Sequence, residues 1–149
     1  MLPEKELIRR EYQVREMRLT AETRLTKASL LRWLCLALGL LSPDESRQTV
    51  LPVLDAFLVF QLQERKNPTI AELAAKSGQP EKAVRYHMQR LGALGIAGEE
   101  KRRYFFIRDS ASPRLSLAKS FEEHYAESLV KSLSPIHDAL GELQRSYEG

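Results

Sequence analysis

Apolar positions recur at spacings of three and four over most of this chain, the pattern of helices buried along one face. From Glu4 to about Thr26 charged residues dominate, with Leu7, Ile8, Tyr12, Met17 and Leu19 scattered among them. With Pro3 as its only proline and no glycine, this segment reads as an exposed helix, one side of an intermolecular seam. A solvated arm fits it equally well. Ala28 to Leu41 is apolar on nearly every side except at Arg32, and such a helix needs protein cover all round. Ser42-Pro43-Asp44-Glu45 has the order of a helix start, with Ser42 as cap, Pro43 in the first turn and Glu45 three residues after the cap. Val50, Leu51, Val53, Leu54, Phe57, Leu58 and Phe60 predict a helix over Val50 to Gln63. It begins near Thr49, because Pro52 fits only a first turn.

The pattern then tightens into two short helices. Thr69 stands as a cap with Glu72 three residues on, and Ile70, Leu73 and Ala74 form an inner stripe. Gly78 ends that helix where a left-handed residue is needed. Pro80 opens the next, and Glu81 suits its positive N-terminal end. Two short helices joined by a glycine-containing turn make a helix-turn-helix. The second runs from Pro80 to about Ala93. Val84, Met88, Leu91 and Leu94 make its core stripe, while Lys82, Arg85, Tyr86 and Gln89 occupy the other side. Lysine and arginine can donate to guanine edges or phosphates, glutamine can pair with adenine, and tyrosine can donate to a phosphate or pack against a thymine methyl. His87 follows Val84 by three and reads as packed and hydrogen-bonded.

Gly92 or Gly95 stops the helix. Ile96-Ala97 and Arg103-Tyr104-Phe105-Phe106-Ile107 then predict two strands around a loop from Gly98 to Arg102. A hairpin carrying Lys101, Arg102 and Arg103 near its tip completes a winged helix. Its cations can follow the phosphate backbone or enter a minor groove, or simply guard the hairpin against edge-to-edge pairing.

The run TIAELAAKSGQPEKAVRYHMQRLGALGIAGEEKRRYFFI, from Thr69 to Ile107, resembles the winged helix-turn-helix of prokaryotic transcription regulators of the ArsR-like and MarR-like kind. The shared pattern is ELA…SG…AVRYHMQRL…LGI. The resemblance implies a dimer with its second helix in the major groove. It assigns DNA contact to Lys82, Arg85, Tyr86, Gln89 and Arg90, and to the wing residues Lys101, Arg102 and Arg103. Regulators of this kind that sense metals use Cys or His clusters, and this sequence has none. Glu99 and Glu100 open the wing and would repel phosphate if they pointed toward it.

Charge sharpens the picture. The net charge over 149 residues is +3, too small to imply a nucleic-acid partner. Residues 79–108, however, hold seven lysines and arginines against three acids, and residues 109–149 hold four against seven. A basic middle beside an acidic tail can focus positive potential on one face. Cys35 is the only cysteine, which excludes an intramolecular disulfide and a thiolate zinc site and fits a reducing cytoplasm. His124 and His137 have no metal-ligand company, and no Ser-His-Asp arrangement or glycine-rich phosphate loop is present. No metal, cofactor or enzymatic chemistry is expected. The N-terminus lacks a signal-peptide pattern, and the apolar run Trp33 to Leu41 is far short of a membrane span.

Ser112-Pro113 and Ser134-Pro135 each suit a helix start. Leu115, Leu117, Ala118, Phe121, Tyr125, Leu129, Val130 and Leu133 form a stripe that Ile136, Leu140 and Leu143 continue. These helices can dimerise, or fold back on the chain's own Ala28–Leu41 helix. The expected architecture is mainly α, with a helical N-terminal extension over 1–45, a winged helix-turn-helix with a small β-hairpin wing over 46–109, and a dimerisation arm over 110–149. The expected function is sequence-specific binding of double-stranded DNA by a homodimer held through its N- and C-terminal helices. The rival is a winged helix used as a protein–protein interaction module in a larger assembly, favoured by the apolar surface of Ala28–Phe60. A third reading is a switch with a small molecule held between the apolar helices.

Overall fold

The structure is a computed structural model that describes residues 2–107 and 114–149. The chain divides into two compact units, residues 1–106 and 107–149. Among the described residues it is mainly helical, with one two-stranded antiparallel sheet. The helix start expected at Ser112-Pro113 lies outside the described residues.

The continuous N-terminal helix expected over Glu4 to Thr26 does not form. A single turn, α1 (Glu4–Leu7), and a 3₁₀ turn at Thr23–Leu25 are the helical parts of residues 2–26. The rest is an arm laid against the end of the next helix, α2 (Lys27–Ala37). The Thr26 hydroxyl caps α2 by accepting the Ser29 N–H at 3.0 Å. At its other end α2 leaves carbonyls without helical partners, and the arm supplies donors. The Arg15 amide donates to the Ala37 carbonyl at 2.8 Å. Its guanidinium donates to the Leu36 and Leu41 carbonyls at 2.6 and 2.9 Å. The Trp33 indole N–H donates to the Arg18 carbonyl at 2.8 Å. Gly39, at φ +72°, turns the chain out of α2, and a Cβ there would lie 2.5 Å from the Gln13 carbonyl oxygen. Both its backbone angle and the closeness of the arm require glycine.

The cover expected all round α2 is incomplete: Cys35 and Ala37 are buried, but Leu30 and Leu34 are exposed. Ser42 to Glu45 forms a turn, closed by the Glu45 N–H on the Ser42 carbonyl at 3.1 Å, and not the expected helix. Helix α3 (Val50–Leu58) starts beside Thr49 with Pro52 in its first turn, where a missing N–H costs no intrahelical bond. A π-helical turn, Val59–Gln63, continues it. Val50, Val53, Leu54, Ala56, Phe57 and Phe60 point into the core.

Helix α4 (Ile70–Ser77) opens on a full capping box: the Thr69 hydroxyl accepts the Glu72 N–H at 3.2 Å, and the Glu72 carboxylate accepts the Thr69 N–H at 3.0 Å. Gly78 closes it in the left-handed conformation, at φ +71°. Helix α5 (Glu81–Ala93) follows, and its face of Val84, Met88 and Leu91 is buried with Leu73. Strands β1 (Ala97–Glu100) and β2 (Arg103–Phe106) form the hairpin, pairing Ala97 with Phe106 and Glu100 with Arg103. The Phe106 ring stacks on Phe57 at 4.8 Å and joins the hairpin to the core. No division falls at residue 45. The segment after α2 belongs to the same unit as α5, because Arg90 reaches back to it.

In the second unit, α6 (Leu117–Phe121), a π-helical turn Glu122–Ala126 and α7 (Glu127–Lys131) form one helical run capped by Ser116. Helix α8 (Ser134–Glu148) starts with Pro135 in its first turn and buries none of its residues. Its 15 residues are near the shortest length that is marginally helical alone in water.

Two of the left-handed glycines, Gly39 and Gly78, should separate strain from contact. Gly78→Ala has open space around it and should lose about 1–2 kcal/mol for its backbone angle alone. Gly39→Ala meets the Gln13 backbone as well, so its loss in urea unfolding should be larger. Equal losses would mean that the arm does not pack as described.

Candidate nucleic-acid interface

Burial of one side of α5 dictates what the other side shows. Lys82, Arg85, Tyr86 and Gln89 are all exposed, with Tyr86 at 56%. Arg85 stands 3.8 Å from Glu81 one turn earlier, an exposed pair of little energetic weight. The outward face is therefore cationic, amide-bearing and aromatic, as the periodicity predicts.

Arg90 differs from its neighbours. It is half-buried, and its guanidinium donates to the Gly39 carbonyl at 2.7 Å and the Leu40 carbonyl at 3.0 Å. The same group lies 5.5 Å from the centre of the Tyr86 ring. Its fork is spent on the turn after α2, so Arg90 positions α5 instead of presenting charge outward. Arg103 is comparably engaged. It donates to the Asn67 carbonyl at 2.8 Å and to Glu72 at 3.1 Å.

Glu72 is the meeting point of that second network. It caps α4, receives Arg103 and contacts Lys66. The Lys66 hydrogen bond, followed by the Thr69 N–H, holds its carboxyl down at about 2. Two further amide donors of the hairpin fix it to the loop before α4 and to the π-helical turn. The Tyr104 N–H donates to the Pro68 carbonyl at 2.9 Å, and the Phe106 N–H to the Gln61 side-chain oxygen at 2.9 Å.

The hairpin is longer than the sequence predicts. Gly98, Glu99 and Glu100 belong to β1, opposite Phe105, Tyr104 and Arg103, and the loop shrinks to Lys101-Arg102. Both loop residues have positive φ, 51° and 64°, the backbone of a two-residue type I′ turn. A Cβ at Gly98 would lie 2.7 Å from the Phe105 ring, so the ring occupies that space. Glu99 is drawn to Tyr104, whose hydroxyl is raised above its ordinary pKa by burial and then by the charge and hydrogen bond of Glu99, with Arg85 opposing. Lys101 and Arg102 are exposed at the tip.

His87 is buried on the inner side of α5, as expected, with Nε2 2.8 Å from the Thr49 hydroxyl. Nδ1 is buried without a partner. Burial lowers the imidazole pKa, Arg90 lowers it further, and Glu45 partly opposes them. The Cys35 thiol is raised to about 11 by burial against Arg90 and Arg32 and stays protonated. No group of three or more metal-ligating side chains occurs among the described residues. Nor is any helix among them long and apolar enough to cross a membrane. Residues to which sequence reasoning gave no part in the site are Gly39, Leu40, Asn67 and, beyond its place at the start of α3, Thr49. All serve through backbone carbonyls or a lone hydroxyl, which no local pattern marks.

Comparison with family models, curated proteins and solved structures finds no match to this chain.

His87 gives the interface a definite pH response. Its folded pKa lies below the ordinary 6.5, so the unfolded chain binds the proton first. Stability is complete above 6.5 and falls as pH drops below it. The Glu72 contribution is lost separately, as pH falls from 4.5 toward about 2. His87→Gln should flatten the upper window of urea midpoint against pH and leave the lower one unchanged. An upper slope equal to wild type would show that His87 is not the group titrating.

Proposed function

We propose that this protein is a winged helix-turn-helix regulator that binds double-stranded DNA as a homodimer, with α5 as the recognition helix and the β1–β2 hairpin as the wing. The reading rests above all on α5, which buries Val84, Met88 and Leu91 while presenting Lys82, Arg85, Tyr86 and Gln89 in one exposed stripe. A helix is about 10–12 Å across and the major groove about 12 Å wide, so the stripe fits base edges without rearrangement. Arg85 and Gln89 suit guanine and adenine, and Lys82 and Tyr86 suit phosphates. Lys101 and Arg102 add sequence-independent affinity from the wing tip. Arg90 and Arg103 act one step back, by holding α5 and the wing.

Dimerisation follows from α8. Ile136, Leu140, Leu143 and Tyr147 are all more than half exposed and succeed one another at alternating spacings of four and three. That spacing suits the seam of a two-stranded helical contact. A two-fold pair would present two recognition helices to half-sites about one helical turn apart.

One observation favours the rival protein-interaction module. A shallow apolar groove of about 270 Å³ lies between α2 and α3, lined by Leu30, Leu34, Leu58 and Leu62 among others.

Fluorescence anisotropy with labelled duplexes at several salt concentrations separates the readings. Arg102→Ala should weaken all sequences alike and lower the slope of log affinity against log salt by about 1. Arg85→Ala should cost about 1–3 kcal/mol on the preferred sequence and relax the choice of base. Absence of binding at low salt would end the DNA reading and favour the groove. Leu140→Glu should convert a dimer to a monomer in sedimentation; a wild-type monomer at high concentration would remove the α8 seam.

A further inference from the structure

We infer that the N-terminal arm is a second phosphate-gripping element, in which Arg9 and Arg10 extend the duplex-binding face beyond the C-terminal end of α5. The inference rests on the duplex reading above and adds a site to it. An open recess of about 780 Å³ lies between the arm and α5, and Arg9, Arg10, Tyr86, Arg90, Gly92 and Ala93 are among its lining residues. Its charged lining is Arg9 and Arg10 against the single carboxylate of Glu11, with the Arg90 guanidinium committed to the Gly39 and Leu40 carbonyls. An open, cation-lined groove suits a polyanionic backbone, whereas pockets for small apolar ligands are mostly enclosed and apolar.

The recess continues the exposed stripe of α5. Lys82, Tyr86, Gln89 and Ala93 follow one another at spacings of four, three and four. The stripe carries long polar side chains as far as Gln89 and then ends in Gly92 and Ala93, which are exposed but have nothing to reach with. There the arm brings Arg9 and Arg10 alongside. Gln89 to Ala93 is a rise of about 6 Å along the helix. A helix reading bases with Arg85 and Gln89 in a groove about 12 Å wide would carry Gly92 and Ala93 out to the rim, where the phosphates lie. Tyr86, on the exposed face of α5, lines the arm's recess.

The arm is held ready for this contact. Its bonds from Arg15, and the one the Arg18 carbonyl accepts from Trp33, fix it on α2, and Gly39 admits it at close range. Arg10 is braced by Tyr12, donating to its hydroxyl at 3.3 Å with the guanidinium 5.9 Å from the ring centre. A braced cation loses less side-chain entropy on meeting a phosphate.

The test is the salt dependence of binding to a random-sequence duplex for wild type, Arg9→Ala/Arg10→Ala, Arg9→Lys/Arg10→Lys and Arg102→Ala. The alanine pair should lower the log–log slope by about 2, close to 0.9 per lost phosphate contact. The lysine pair should keep the slope, because a phosphate needs the charge and not the fork. An unchanged slope in the alanine pair, beside a reduced slope in Arg102→Ala, would overturn the arm and leave the duplex reading standing. A lysine pair as impaired as the alanine pair would assign the arginines a structural role and overturn the proposal. A wild type that binds no duplex would remove both readings together.

Discussion

The rotation of α5 about its own axis is the constraint on which the site depends. Val84, Met88 and Leu91 lie at 1% exposure or less, so the helix has one apolar side and that side is filled. Turning it by one residue would bring Arg85 or Gln89 into the core, and an unpaired buried charge costs several kcal/mol. Two polar contacts reinforce the orientation from different sides. His87 meets Thr49 at the start of α3, and Arg90 meets the carbonyls that follow α2. The residues that make the outer face useful are thus held by residues that never reach it.

Glu72 does for the hairpin what the core does for α5. One carboxylate accepts the Thr69 N–H at the start of α4 and draws in Arg103 from β2 and Lys66 from the preceding loop. Helix α4, the preceding loop and the hairpin are thus joined through one side chain. The stacking of Phe106 on Phe57 joins the hairpin to α3 as well.

Local chemistry was legible in the sequence, and long-range chemistry was not. The Thr69–Glu72 box, the Gly78 stop and the inner stripe of α5 each lie within one or two helical turns, so periodicity and capping reveal them. The arm has the composition of a helix, but Arg15 meets carbonyls 21 and 26 residues away, and those partners outweigh local propensity. Ser42 to Glu45 has the order of a cap with only polar residues up to Thr49 behind it, so no apolar stripe supports a helix there. Arg90 looked like its neighbours because nothing near it in the chain marks the carbonyl of Gly39, 51 residues away. Gly98-Glu99-Glu100 are poor strand formers, and pairing with Tyr104 and Phe105 overrides that preference.

The hairpin tip sets two demands against each other. A type I′ turn is best made by Asn-Gly, whose backbone accepts positive φ readily. This chain places Lys101 and Arg102 there, each in a conformation that disfavours a long side chain by about 1–2 kcal/mol. Redesign for thermal tolerance alone would replace this pair first, and it would discard both cations at the most protruding point of the hairpin. Selection for heat resistance and retention of tip charge therefore pull against each other at these two positions.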